Sequence, residues 1–128
     1  MEQNRETNTT VLIADDSSLI RTNLGTLIKD TRGDVELEYS FDLESTCRML
    51  HSVSVDILIL DIRFPDGSGY DVLRLISRWE NRPFVMILTN YVSTQTRRKS
   101  LDLGADLFLD KTEEYERAVE EVLRLEHR

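Results

Sequence analysis

Four short apolar runs in this chain each give way to residues with acid, hydroxyl or amine chemistry. Val11–Ala14 is followed by Asp15 and Asp16, Val55–Leu60 (interrupted only by Asp56) by Asp61, Phe84–Leu88 by Thr89, and Leu107–Leu109 by Asp110 and Lys111. The three carboxylates Asp15, Asp16 and Asp61 against the one ammonium of Lys111 carry a formal charge of −2. Gathered in one place, that charge is unfavourable unless a cation joins it. Oxygen ligands of this kind suit Mg²⁺, which takes one or two carboxylates and keeps positions for water or phosphate oxygens. No His or Cys set with zinc-ligand spacing is present. A lysine beside the metal supplies further positive charge for a phosphoryl group. A central carboxylate can act as the nucleophile and form an acyl phosphate, and the Thr89 hydroxyl can hydrogen-bond a phosphoryl oxygen. Together these residue types support phosphoryl transfer onto Asp61.

That chemistry requires the residues to converge, and the segments between them supply the means. Ile20, Leu24, Leu27 and Ile28 recur with helical spacing, with Ser17 or Asp16 to cap the first turn and Gly33 at the end. Val35, Leu37, Tyr39 and Phe41 alternate with polar residues, which predicts a less buried strand at a sheet edge. Leu43, Cys47 and Leu50 form a second helical stripe, and Val72, Ile76 and Trp79 a third. The loop Arg63–Gly69 between them is rich in turn residues. Segment 93–103 is weakly amphipathic, carries Arg97, Arg98 and Lys99, and ends at a predicted C-cap, Gly104. In the last helix Tyr115, Val119 and Val122 share a face, Glu113 and Glu114 fall in the first turn, and the spacing predicts Glu113–Arg117 and Glu120–Arg124 pairs. Five strand–helix units of this kind imply an α/β fold, a doubly wound, mostly parallel sheet covered on both faces. Chemistry in such a sheet gathers beyond the carboxyl ends of the strands, which is where Asp15, Asp16, Asp61, Thr89 and Lys111 fall.

Composition narrows the partners. The 128 residues suit one domain, predicted over 10–128 behind a flexible N-terminal tail, 1–9. Sixteen Lys and Arg against 24 Asp and Glu give a net charge of −8, which argues against direct nucleic-acid or anionic-lipid binding. No apolar run is long enough to span a membrane, the first nine residues lack a signal-peptide core, and one cysteine permits no internal disulfide. A cytoplasmic location is the expectation.

The ordered set of motifs resembles the receiver domain of the response-regulator family of two-component systems. VLIADD supplies the acidic pair, and ILILDIRFPDGSG places Pro65 and Gly69 four and eight residues after Asp61. MILT and GADLFLDK then place Lys111 22 residues beyond Thr89, and the likeness spans about residues 10–126. The resemblance implies the five-stranded (βα)5, flavodoxin-like fold of the chemotaxis regulators, with strand order 2-1-3-4-5. It implies Asp61 as phosphoacceptor, with Mg²⁺ bound directly by Asp16, Asp61 and the Arg63 carbonyl and through water by Asp15. Lys111 would hold the phosphoryl group. Thr89 and Phe108 would form a switch pair that reshapes the face made by the fourth helix, fifth strand and fifth helix. The implied partners are a histidine kinase or histidine phosphotransfer protein and a downstream protein effector, with a homodimer through that same face as a further option. No catalytic activity beyond self-phosphorylation and self-dephosphorylation is implied.

Three departures from the family pattern involve four residues. Thr112 replaces the usual Pro after Lys111, Asn90 replaces the usual small residue after Thr89, and Arg63 and Tyr91 flank the approach of water to Asp61. The expectation is that Arg63 and Tyr91 slow phosphoryl loss. Thr112 and Asn90 leave open a receiver-like adaptor that works without phosphorylation. A haloacid-dehalogenase-type phosphatase also uses a strand-end Asp, but it needs a second Asp where this chain has Arg63. Cys47 and Trp79 are read as packing residues, His51 and His127 as solvated, and Asp66 as a turn residue.

Overall fold

Unbroken Ile, Leu and Val runs leave no face for water, so they build strands covered on both sides. A computed structural model of the protein describes residues 8–125. Its strands are β1 (Thr10–Ala14), β2 (Glu36–Ser40), β3 (Ile57–Leu60), β4 (Phe84–Thr89) and β5 (Leu107–Asp110). Its helices are α1 (Ser18–Thr31), α2 (Leu43–Ser52), α3 (Gly69–Ile76), α4 (Thr94–Asp102) and α5 (Tyr115–Arg124). The strands pair in parallel in the order β2-β1-β3-β4-β5, as expected. A two-residue hairpin, Arg63–Phe64 against Gly67–Ser68, interrupts the passage from β3 to α3.

Alternation along each strand divides the interior in two. Leu12, Leu58, Leu60, Val85, Ile87 and Phe108 face α2 and α3. Val11, Ile13, Ile57, Ile59, Met86 and Leu109 face Leu24 and Ile28 of α1 and Ala118, Val119 and Val122 of α5. β2 lies at the edge with Tyr39 exposed. Thr9, in the expected tail, is buried, and its hydroxyl accepts a bond from Arg32; residues 1–7 of that tail and His127 lie outside the described residues.

The helix starts are capped by local side chains. Ser17, rather than Asp16, accepts from the Ile20 amide. Asp42 and Ser45 form a capping box, as do Ser93 and Thr96, and Ser68 accepts from the Tyr70 amide. Gly104 follows α4 with φ of 111°, a conformation that favours glycine.

Several local expectations fail. Leu27 shares its helical spacing with buried residues yet is exposed, because the apolar stripe of α1 narrows to Leu24 and Ile28. α3 ends at Ile76, so Trp79 lies beyond the helix, where its ring meets His51 edge-on at 5.4 Å. The predicted Glu113–Arg117 and Glu120–Arg124 pairs are absent from the ion pairs of the described residues. α5 begins at Tyr115, which leaves Glu114 at its N-cap, and Arg117 and Arg124 turn to Glu114 and Glu121 instead.

Candidate functional site

Parallel register decides which polar residues meet. The β1–β2 and β1–β3 ladders each run one step past their strands, through Asp15 N–H to Ser40 O and Asp61 N–H to Ala14 O. The Lys111 amide similarly donates to Thr89 O at 2.8 Å. Asp15, Asp61, Thr89 and Lys111 therefore stand side by side on the carboxyl rim of the sheet.

Carboxylate oxygens of Asp15, Asp16 and Asp61 all lie within 4.8 Å of one another. Asp15 and Asp61 are 3% and 5% exposed, whereas Asp16 opens to solvent. The Lys111 ammonium bridges the buried pair, donating to Asp15 Oδ2 at 2.7 Å and Asp61 Oδ2 at 2.9 Å. The other oxygens are also held, Asp15 Oδ1 by the Ser17 amide and Asp61 Oδ1 by the Ile62 amide. Burial raises the Asp15 pKa above its usual value, against the opposing bonds from Lys111 and Ser17. Burial acts to lower that of Lys111, but its bonds to Asp15 and Asp61 outweigh this and hold it above the ordinary lysine value. Two buried carboxylates thus share a single ammonium, with the exposed Asp16 carboxylate beside them. Acceptor-only oxygens in excess of positive charge are the donor set of a hard divalent cation, so the residues fit Mg²⁺.

The remaining predicted residues lie on β4, β5 and the loops that follow the strands. Thr89 is fully buried, and its hydroxyl accepts from the Tyr91 amide at 3.2 Å. Phe108 occupies the inward position, 4% exposed, with the Arg97 guanidinium 4.9 Å over its ring. Arg63 and Tyr91 meet: the guanidinium sits 4.1 Å from the ring centroid, linking the loops after β3 and β4. Thr112 Oγ1 lies 3.3 Å from Asn90 Oδ1, to which it donates. The Thr112 amide donates to Asp110 Oδ1, a bond that the usual Pro would forgo. Cys47 stays a packing residue whose thiol burial holds protonated.

Two residues near the site escaped the sequence reading. Asp66, taken as a turn residue, accepts from the Leu43 and Glu44 amides at the start of α2. Those bonds lower its pKa, the Leu43 bond most. Arg97, grouped with a basic cluster, instead covers Phe108. Neither bond has a local periodic signal, since each joins segments distant in sequence.

The sequence model of the family described as "Response regulator receiver domain" matches residues 11–123. The chain is 28% identical over 107 residues to the sensory transduction protein LytT of Bacillus subtilis, covering 84% of this chain and 44% of that protein. It is 29% identical over 116 residues to a protein-glutamate methylesterase/protein-glutamine glutaminase of Myxococcus xanthus, covering 91% of this chain and 33% of that one. The chain thus spans less than half the length of these relatives. Among solved structures, the N-terminal domain of a Wolinella succinogenes protein superposes with a TM-score of 0.82 at 28% identity, covering 93% of this chain and 94% of that one. The chemotaxis response regulator CheY4 of Vibrio cholerae gives 0.79 at 21% identity, covering 91% and 97%.

Proposed function

Because the chain belongs to the response regulator receiver domain family, we propose that it is a phosphorylation-activated switch that takes a phosphoryl group onto Asp61 from a histidine kinase or histidine phosphotransfer protein. The observation that carries this reading is the buried Asp15–Lys111–Asp61 bridge on the rim of the sheet. A carboxylate oxygen of Asp61 attacks the phosphorus of a phosphohistidine. The P–N bond breaks, its electron pair returns to the imidazole, and an acyl phosphate remains on Asp61. Asp16, Asp61 and the Arg63 carbonyl would hold Mg²⁺ directly, with Asp15 acting through water. Bound there, the ion would supply positive charge to the phosphoryl oxygens. Lys111 exchanges its bond to Asp61 Oδ2 for a phosphoryl oxygen and stays near Asp15. The Thr89 hydroxyl leaves the Tyr91 amide for another phosphoryl oxygen, which loosens the loop into α4. Arg97, bound over Phe108, carries that change to the face of α4, β5 and α5, where a protein effector or a second copy docks.

The domain acts on no substrate beyond its own Asp61, and it works where kinase phosphohistidine is presented, in the cytoplasm. None of the helices in the described residues is long and apolar enough to cross a membrane. Intact mass measured after incubation with acetyl phosphate and Mg²⁺ tests the reading. One phosphoryl group is expected on the parent chain and none on Asp61→Asn or after EDTA. An adduct that survives either change overturns it.

The Arg63–Tyr91 stack predicts a slow decay of that adduct. It closes the loops on either side of Asp61 and hinders an attacking water. Replacing both residues with alanine should speed decay several-fold, on the order of 1 kcal/mol off the barrier. The remaining adduct followed by mass over time checks this, and a double variant that decays no faster sinks the idea.

A further inference from the structure

The loop that carries Arg63 is fastened to an element outside the acidic cluster. Arg63–Phe64 and Gly67–Ser68 form a hairpin, and Pro65 and Asp66 make its tip. At that tip the Asp66 carboxylate spans the first two amides of α2, Leu43 N–H to Oδ1 at 2.7 Å and Glu44 N–H to Oδ2 at 3.1 Å. Asp42 already accepts the third amide, that of Ser45, at 2.7 Å. The free N–H groups of the α2 start are therefore shared between a local cap and a carboxylate that arrives from 23 residues away.

A second contact reinforces the first. A Cβ at Gly67 would lie 2.4 Å from Leu43 Cδ2, so the hairpin backbone rests directly on the first side chain of α2. On its other side the hairpin is pinned by buried Phe64 and by the Gly69 amide bond to Ile62 O at 2.6 Å. The segment from Ile62 to Gly69 is thus held between two anchors, the core and α2.

We infer that Asp66 is a positioning residue: by tying the hairpin tip to the α2 N-terminus it sets the place of the Arg63 carbonyl. The inference rests on the Mg²⁺ reading above and extends it to a residue that touches no ligand. An outer partner that orients a metal ligand contributes substantially to affinity even though it never meets the ion.

The test compares two caps of one helix. Asp66→Ala removes the long-range carboxylate, and Asp42→Ala removes the local one without touching the hairpin. Calorimetric titration with Mg²⁺ should show about tenfold weaker binding for Asp66→Ala, in the range seen for outer-shell partners. Asp66→Asn, which keeps one acceptor oxygen, should recover part of that loss, and Asp42→Ala should bind as the parent does. Metal-free amide exchange gives the second reading: exchange over residues 63–68 should accelerate in Asp66→Ala and not in Asp42→Ala. Parent-like Mg²⁺ affinity in Asp66→Ala, or an equal loss in Asp42→Ala, overturns the inference. A parent chain that takes no Mg²⁺ defeats the metal reading, and unchanged exchange at 63–68 in Asp66→Ala then overturns the tether as well.

Discussion

Replacing Gly69 with alanine lowers the melting temperature by about 10 °C, the expected outcome of roughly 3 kcal/mol of overpacking in a domain of this size. A Cβ at this position would stand 2.3 Å from the backbone oxygen of Asp61 and 3.2 Å from Ile62 Cα. Neither neighbour is a side-chain end that can rotate away. The Gly69 amide is also bonded to Ile62 O, so the first turn of α3 cannot withdraw without losing that bond. The main chain of Asp61 must shift, and with it the carboxylate, so phosphorylation by acetyl phosphate should slow in the same variant. Gly33→Ala is the control: a Cβ there meets nothing within 4 Å, and its melting temperature should stay near the parent value. Thermal melts by circular dichroism decide the matter, and a Gly69→Ala protein as stable as Gly33→Ala refutes the steric account.

The second large effect belongs to Lys111. Substituting methionine strands two buried carboxylates without their shared cation, and stability at neutral pH should fall by about 3 kcal/mol, the usual result of breaking a buried pair from one side. The pH dependence separates this from lost packing. Asp15 has a pKa raised above the ordinary aspartate value of 3.8, so in the window above 3.8 the native state binds more protons than the unfolded chain, and its contribution to stability grows as the solution is acidified. The deficit of Lys111→Met should therefore shrink toward acid, where a protonated Asp15 needs no partner. Lys111 has the opposite profile. Its pKa is raised above 10.5, so its stabilisation is complete below that value and is lost as pH rises through the native pKa. The parent should lose this contribution in alkali, and the methionine variant has none to lose. Mg²⁺ should also stabilise the variant more than the parent, since it replaces the missing charge. Denaturant melts across pH, with and without Mg²⁺, measure all three. A deficit independent of pH attributes the loss to packing alone.

Much of this arrangement was legible in the sequence, and for a definite reason. Runs such as Ile57–Leu60 carry no polar residue, so both faces must be covered, and parallel pairing then brings the residues just past the strands to one rim. Asp15, Asp61, Thr89 and Lys111 follow from that rule. The Lys111 bridge to both aspartates is an outcome of register that spacing alone does not specify. Asp66 and Arg32 were not legible. Arg32 is buried and donates to Thr9 Oγ1 and to the Val122 carbonyl, across 23 and 90 residues. Helical and strand periods describe neighbours within an element and carry no information about such reaches. Trp79 failed for the reverse reason: its spacing continues the α3 stripe, but the helix has already ended at Ile76.

The division of the interior into two clusters bears on how the chain comes into being. The cluster against α2 and α3 draws on residues from Leu12 to Phe108. The cluster on the other face also needs Ala118, Val119 and Val122, among the last described residues. During synthesis from the N-terminus, one face can close while the other still waits for α5 to leave the ribosome. Until then the cluster of Val11, Ile13, Leu24 and Ile28 lacks the cover of Ala118, Val119 and Val122, and the Arg32 guanidinium has no Val122 carbonyl to meet. The arrival of α5 therefore both seals the second face and joins α5, through Arg32, to Thr9 beside β1.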